Sequence, residues 1–427
     1  MKLSVVILAA GFGTRMNSKL AKPLHQICGK TLIDLVCENA LAISDDVTVI
    51  LHHQADSIKE HLKNTRIKFL LQDMINHKGT GGALFDYEPM NDEVIILNAD
   101  MPLITLNSLK QIASQKGDVV LSTFKKYENN AYGRVIKENE KIIKIVETKD
   151  ANENELKCNL CNGGIYKMSK NVLKTYIPKL NNNNAQNEYY LTDVIKMAID
   201  DDLVVSECEF SENEFLGINS KLDLELAEQI LQNRIKDELL IKGVIMHNKS
   251  SIYIDANAVI SSDCEIESGV VIKGKCNITN SLILANSVIE NSNITNSNIG
   301  PMARIRPNCN INDSKIGNFV ECKNAKLNGV KAGHLSYLGD CEINSGVNIG
   351  CGVIICNYDG KKKHISIIGE NVFVGSNANL IAPINIPNNT LIAAGSTISA
   401  KDANKLKEKD LFLERSKGVI FNNFKDF

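Results

Sequence analysis

Residues 254–278 read IDANAVISSDCEIESGVVIKGKCNI, and residues 374–398 read VGSNANLIAPINIPNNTLIAAGSTI. In both, an aliphatic residue returns at every sixth position: Ile254, Ile260, Ile266, Ile272 and Ile278, then Val374, Leu380, Ile386, Ile392 and Ile398. Between these blocks the beat continues, with occasional steps of five, through Ile283, Ile289, Ile294, Ile299, Ile305, Ile311 and Ile316. Small or polar turn formers such as Asn286-Ser287, Asn296-Ser297-Asn298 and Ser345-Gly346 fill the gaps. A period of six suits neither a 3.6-residue helix nor simple strand alternation. It is the hexapeptide signature of a parallel β-helix, in which no coil buries its own apolar face and each stacks on the next. With three short faces per coil and roughly 4.8 Å between stacked strands, the span makes about eight coils.

Working back toward the N-terminus, the pattern changes. Leu3–Leu8, Val47–Leu51, Ile67–Leu71, Val94–Leu97 and Val119–Thr123 read as strands, and Leu32–Leu41, Asp56–Leu62 and Leu106–Ala113 as helices. Strands alternating with helices imply an α/β, Rossmann-like and mostly parallel sheet, with ligands beyond the carboxyl ends of its strands. Ser220 can cap a helix from Lys221 to Ile241 that carries Leu224, Ala227, Leu231 and Ile235 on one side. The chain therefore divides into an α/β domain over 1–220, a linker helix over 221–241, and a β-helix domain with a tail over 242–427. A chain of 427 residues has room for both cores.

Composition narrows the partners. A net charge of -2, with Lys361-Lys362-Lys363 as the longest basic run, argues against a nucleic-acid face. The first apolar run is too short to span a bilayer and lacks a cleavage-site pattern, so the expectation is a cytoplasmic protein with no membrane partner. Its 12 cysteines are then reduced, scattered and mostly small core residues. Cys158 and Cys161 have CxxC spacing, but no second pair completes a zinc site.

Chemistry-bearing motifs fall in both halves. After the first strand comes LAAGFGTRM (8–16), then Lys22-Pro23-Leu24. Two glycines let the backbone approach a ligand and aim N–H groups at phosphate oxygens, and Arg15 and Lys22 add charge. The spacing is neither a P-loop nor GxGxxG. Asn98-Ala99-Asp100 closes a strand at the ligand edge, where a carboxylate can hold Mg²⁺. Gly79-Thr80-Gly81-Gly82-Ala83 is a second small-residue loop. In the repeat half, KAGHLSYLGD (331–340) sets His334 among small residues, and NYDGKKKH (357–364) must leave the coil as a loop. Arg306, Lys323 and Tyr337 lie on neighbouring coils, so His334 reads as a functional histidine.

Together with NNNNAQNEYYLTD (181–193), RIRP (304–307) and GNFVECKNAKL (317–327), these motifs resemble the bifunctional N-acetylglucosamine-1-phosphate uridylyltransferase/glucosamine-1-phosphate N-acetyltransferase family over nearly the whole chain. The resemblance implies a left-handed coil, a homotrimer, and synthesis of UDP-N-acetylglucosamine for peptidoglycan and lipopolysaccharide from glucosamine-1-phosphate, acetyl-CoA and UTP. It implies that Leu8, Ala9, Ala10, Gly11 and Lys22 hold the nucleotide, with Arg15 and Lys22 aligning its phosphates, and that Gln72, Gly79 and Thr80 read uracil. Asn98 supports Asp100, which with Asn219 ligates Mg²⁺, and Gly133, Glu147 and Asn162 surround the sugar. His334 is the implied base. Arg306, Lys323, Tyr337, Asn348 and Lys363 hold the sugar phosphate, while Cys351, Asn357, Tyr358, Ser376, Ala394 and Arg415 contact acetyl-CoA. The sequence departs from the family in having Asn98-Ala99 before Asp100, two extra residues between Gln72 and Gly79, Gly82 where a histidine is common, and a short tail. That tail, with Leu411, Phe412 and Leu413, reads as reaching over a neighbouring subunit rather than folding on its own.

Overall fold

The aliphatic run Leu3–Ala9 is the middle of a 9-stranded sheet in a computed structural model of the chain, which describes residues 2–128 and 130–415. Leu3–Ala9 pairs in parallel with Asp46–Leu51 on one side and Glu93–Asn98 on the other, and Lys68–Leu71 adds a further parallel strand. Beyond Glu93–Asn98, Leu160–Ser169 runs antiparallel, followed by Val119–Lys125 and Val205–Phe210. Helices cover both faces. Val5 and Ile7 point into a core built with the helices Leu32–Leu41, Ala55–Leu62 and Leu106–Ser114. Val6 points into the opposite core, with Lys170–Tyr176 and Thr192–Asp200. Helix Leu32–Leu41 begins at the expected residue because the Thr31 hydroxyl accepts from the Asp34 N–H (3.1 Å) while the Asp34 carboxylate accepts from the Thr31 N–H (3.2 Å). The four parallel strands end on one edge, and the turns that follow them gather there.

The chain forms two compact units, Met1–Leu231 and Gln232–Phe427, and the helix Lys221–Ile241 runs through the division. Ser220 caps that helix as its sequence suggests, its Oγ accepting from the Asp223 N–H at 3.2 Å.

The second unit is a parallel β-helix. Among the described residues one face stacks ten strands, from Ile245–Met246 to Leu411–Phe412, so a rung is added at each end of the hexad span. Ile254, Ile272, Ile289, Ile305, Val374, Leu380 and Ile398 are fully buried along the axis. Where the aliphatic count lapses, Cys322, Ala332, Leu338 and Ile355 hold the inward positions. The turns use asparagine in the left-handed region, as at Asn286 (φ 58), Asn291 (φ 40) and Asn296 (φ 48). A short amide side chain tolerates that conformation better than other L-residues. These amides also stack: Asn280 Nδ2 donates to Asn296 Oδ1 (2.8 Å) and Asn296 Nδ2 to Asp313 Oδ1 (3.2 Å).

Two strands are longer than the rest. Glu321–Asn328 and Tyr337–Ile343 bend round a corner together, where Asn324 Nδ2 donates to Asp340 Oδ1 at 2.7 Å. The segment 357–365 leaves the coil as a loop, as its broken beat predicts. The tail differs from expectation. Leu411–Phe412 pairs in parallel with Leu391–Ile392 on the preceding coil of the same chain, and Phe412 packs on the core. The short helix Ala400–Ala403 intervenes and hides this rung from the six-residue count. Residues 416–427 of the expected tail lie outside the described ones.

Candidate active sites

In the first unit, the ends of three parallel strands, Leu3–Ala9, Lys68–Leu71 and Glu93–Asn98, and the loop 78–83 enclose a cavity of about 310 Å³. Leu8, Ala9, Ala10, Gly11, Lys22, Gln72, Gly79, Thr80, Asn98 and Asp100 all line it. Lys22 Nζ reaches Asp100 Oδ2 at 2.6 Å and Asn219 Oδ1 at 3.3 Å, and both charged side chains are largely shielded. Gly13 permits this, since a Cβ there would lie 2.8 Å from the Lys22 Cβ. Arg15 does not line the cavity. It is exposed, and its Nη2 donates to Asn219 Oδ1 at 2.9 Å. Two hard oxygens converging on one ammonium fit a Mg²⁺, which takes one or two protein oxygens and fills its shell with phosphate and water. Among the described residues no group of three or more His, Cys, Asp and Glu side chains could hold a metal, so further ligands would come from nucleotide and solvent.

Gly133, Glu147 and Asn162 form a second group beside the cavity. Asn162 N–H donates to Gly133 O (2.9 Å), and a Cβ on Gly133 would lie 3.5 Å from the Glu147 carboxylate. Burial raises the Glu147 carboxyl above its ordinary range, opposed by a hydrogen bond from Thr192 and reinforced by Asp150, Asp193 and Glu188. Asn98 Nδ2 joins this group to the cavity by donating to Gly164 O at 2.9 Å. Sequence reasoning missed Phe12, Met74, Lys78 and Glu188 as lining residues. Glu188 lay within the quoted NNNNAQNEYYLTD motif, but nothing in its pattern marks which side chain turns inward.

The solenoid carries its residues on two edges. Register aligns Asn318 with His334, and continues from Ala332, Ile349, Val374 and Ile392 so that His334, Cys351, Ser376 and Ala394 hold one position on successive coils. At roughly 4.8 Å per coil this edge is about 14 Å long. Glycines let it stack closely: a Cβ would lie 2.5 Å from Ser376 N at Gly350 and 2.4 Å from Ala394 N at Gly375. Among the described residues no hydrogen bond uses the Ser376 or Ala394 N–H. Arg415 closes the edge, its Nη1 donating to Ala394 O at 2.8 Å.

The next edge collects cations. Arg306, Lys323 and Gly339 occupy one position on successive coils, with Lys363 on the loop beside them. Lys363, then Arg306, holds the Lys323 ammonium below its ordinary range, because like charges crowd together there. Arg306 also pairs with Glu321 at 2.7 Å. Gly339 leaves room for Tyr337, since a Cβ would lie 2.4 Å from the Tyr337 hydroxyl. Asn357 is buried and donates to Tyr337 Oη (3.3 Å) and to Asp340, whereas Tyr358 on the loop is exposed. His334 and Asn348 are not joined to this group: Asn348 pairs with Lys331 on another face, and among the described residues no hydrogen bond or ion pair ties either side chain to the cations.

The MobA-like NTP transferase domain profile matches residues 5–136. The bifunctional protein GlmU of a Nitratiruptor species is 52% identical over 402 residues, 93% of this chain and 93% of that protein. Its namesake from Campylobacter jejuni (strain 81-176) is 46% identical over 426 residues, 99% of this chain and 98% of its own. The chain belongs to the bifunctional GlmU family. Its α/β unit and left-handed β-helix thus carry the two halves of a GlmU transferase, and family membership brings nucleotide substrates. A solved UDP-glucose pyrophosphorylase with UDP-glucose is 18% identical, covering 55% of this chain and 100% of its own at a TM-score of 0.44. No helix among the described residues is long and apolar enough to cross a membrane.

Proposed function

We propose that the two sites act in turn to build UDP-N-acetylglucosamine. The GlmU family carries both activities, glucosamine-1-phosphate N-acetyltransferase and N-acetylglucosamine-1-phosphate uridylyltransferase, and the chain spans almost all of it. On the solenoid, acetyl-CoA lies along the edge from His334 to Arg415, with Cys351, Ser376 and Ala394 beside it and Asn357 and Tyr358 near its other end. Arg306, Lys323, Lys363, Tyr337 and Asn348 hold the sugar phosphate. His334 takes a proton from the glucosamine ammonium, and the freed amine attacks the thioester carbonyl. The unused Ala394 N–H stabilises the oxyanion, and CoA leaves as the thiol.

In the α/β unit, a phosphate oxygen of N-acetylglucosamine-1-phosphate attacks the α-phosphorus of UTP and pyrophosphate departs. Lys22 and Arg15 align the phosphates, Gln72, Gly79 and Thr80 meet the base, and Gly133, Glu147 and Asn162 meet the sugar. Mg²⁺, held by Asp100 and Asn219, supplies charge neutralisation when bound. A homotrimer about a three-fold axis, working in the cytoplasm, would bring the His334 edge of one copy to the cation edge of another. What carries the reading is the pairing of an N–H-lined edge headed by His334 with a cluster of cations one face away. A coupled assay with glucosamine-1-phosphate, acetyl-CoA, UTP and Mg²⁺ tests it. His334→Ala should cut acetyl transfer by roughly 10²–10⁴-fold and spare uridylyl transfer, and Asp100→Ala the reverse. Equal loss of both activities in His334→Ala would overturn the assignment.

A further inference from the structure

The strand Leu160–Ser169 is not regular where it passes the sugar group. Asn162 pairs with Thr123 of the neighbouring strand and Tyr166 pairs with Leu121, so four steps along one strand answer two along the other. The excess chain at 163–165 forms a bulge, the device by which a sheet re-aims a side chain. In a regular strand, residues four apart stand roughly 13 Å from each other. Here the Asn162 Nδ2 donates to Tyr166 Oη at 2.6 Å. Two glycines make the bend possible. Gly164 sits at φ 73, and a Cβ on Gly163 would lie 2.4 Å from Ser122 Oγ and 2.7 Å from the Phe215 ring. The buried Ser122 hydroxyl pins the bulge, donating to Ile165 O (3.0 Å) and accepting from the Ile165 N–H (3.1 Å).

The bulge leaves the Asn162 amide held at both ends. Its Oδ1 accepts from the Gly164 N–H at 3.1 Å, while Nδ2 gives one hydrogen to Tyr166. One N–H and one carbonyl lone pair remain for a ligand. Turning the amide over would set an N–H against the Gly164 N–H, two donors face to face. Tyr166 is buried, and burial raises its phenol above the ordinary range, against the bond from Asn162 and with help from the charge on Glu147. Both polar side chains of the sugar group, Asn162 and Glu147, therefore bear on this one hydroxyl. We propose that Tyr166 is a positioning residue for the sugar in uridylyl transfer: through the bulge it fixes the Asn162 amide so that its free N–H and lone pair meet the sugar hydroxyls in a set direction. The proposal rests on reading Gly133, Glu147 and Asn162 as the sugar group. An amide ordered in advance spares the sugar the cost of ordering it on binding.

The test is a double-mutant cycle on the full-length enzyme, read as separate KM values for N-acetylglucosamine-1-phosphate and for UTP with Mg²⁺ present. Tyr166→Phe keeps the ring and deletes the hydroxyl. It should raise the KM for the sugar phosphate about five- to tenfold and leave that for UTP within about twofold. A merely structural role would lower the melting temperature without separating the two constants. In an Asn162→Ala background, Tyr166→Phe should add nothing to the sugar KM, because the group it positions is gone. Ser122→Ala, which unpins the bulge and leaves both partners in place, should shift the sugar KM in the same direction, and it decides the matter if Tyr166→Phe does not fold. Equal rises in both KM values overturn the proposal, as does an effect of Tyr166→Phe that persists in full without Asn162. A sugar KM that is raised by Asn162→Ala but untouched in folded Tyr166→Phe overturns it while leaving the sugar group in place. A sugar KM unchanged by Asn162→Ala would instead refute the assignment of the sugar group, and the proposal with it.

Discussion

Gly317 and Gly333 sit on adjacent coils, and an alanine at each should have opposite consequences. A Cβ on Gly317 would lie 2.1 Å from Gly333 O and 2.8 Å from its carbonyl carbon, whereas a Cβ on Gly333 has nothing within 4 Å. Ordinary contact begins near 3.4 Å. Gly317→Ala must therefore open the two coils locally by about 1.3 Å, in a close-packed stack that has little slack. Overpacking of this kind costs about 1–3 kcal/mol, which in a unit of this size lowers the melting temperature by about 2–12 °C. The displaced carbonyl belongs to the residue before His334, so the edge proposed for acetyl transfer moves with it. A misplacement near 1 Å can cost roughly 10²-fold, and acetyl transfer, followed by release of CoA thiol, should fall by about that factor. Uridylyl transfer, followed by pyrophosphate, should not change. Gly333→Ala should keep the melting temperature or raise it slightly, because the added Cβ restricts the unfolded chain. If Gly317→Ala kept acetyl transfer within about threefold of wild type, or if Gly333→Ala lost as much stability, the stacking argument would be wrong.

Glu147 gives a pH signature. Its carboxyl titrates higher in the folded chain than in the unfolded one, chiefly through burial, so between those two values the folded state binds more protons and stability declines as pH rises. Glu147→Gln should remove that decline and gain relative to wild type at neutral pH, as denaturant titrations between about pH 4 and pH 7 would report. In the solenoid, Ile305 is fully buried, and Ile305→Ala should cost about 2–5 kcal/mol in chemical unfolding. Arg415→Ala removes the guanidinium from Ala394 O and should raise the KM for acetyl-CoA several-fold with little change in the KM for glucosamine-1-phosphate. Equal rises in both constants would place Arg415 elsewhere in the mechanism.

Much of this was legible in the sequence, for reasons that differ between the halves. Hexad aliphatics such as Ile266 and Ile386 mark the solenoid because each inward position recurs at a fixed chain distance. Helix Leu32–Leu41 was readable because Thr31 and Asp34 form a local cap. The rung at Leu411–Phe412 was not, since its pairing with Leu391–Ile392 skips over a helical turn that no period counts. Nor could sequence show that Gln72 uses both amide hydrogens on its own loop, because that depends on where His77 O lies, and the close approach of Gly82, further along the same segment, fixes it. The separation of His334 and Asn348 from the cation edge is likewise a matter of which corner each position turns, and spacing alone is silent on corners.

Each rung of the solenoid touches only the rung above and the rung below, so the structure behaves as a spool. A spool comes undone from its ends, and here both ends are tied. Leu239 of the long helix packs against one end of the core, and Ala403, Leu406 and Phe412 pack against the other. Under a pulling force the inner coils should hold until one of these ties lets go, and the thread should then unwind one coil at a time. The edge proposed for acetyl transfer runs up to the rung that Arg415 fastens, so loss of that tie should end acetyl transfer before most of the spool had begun to turn.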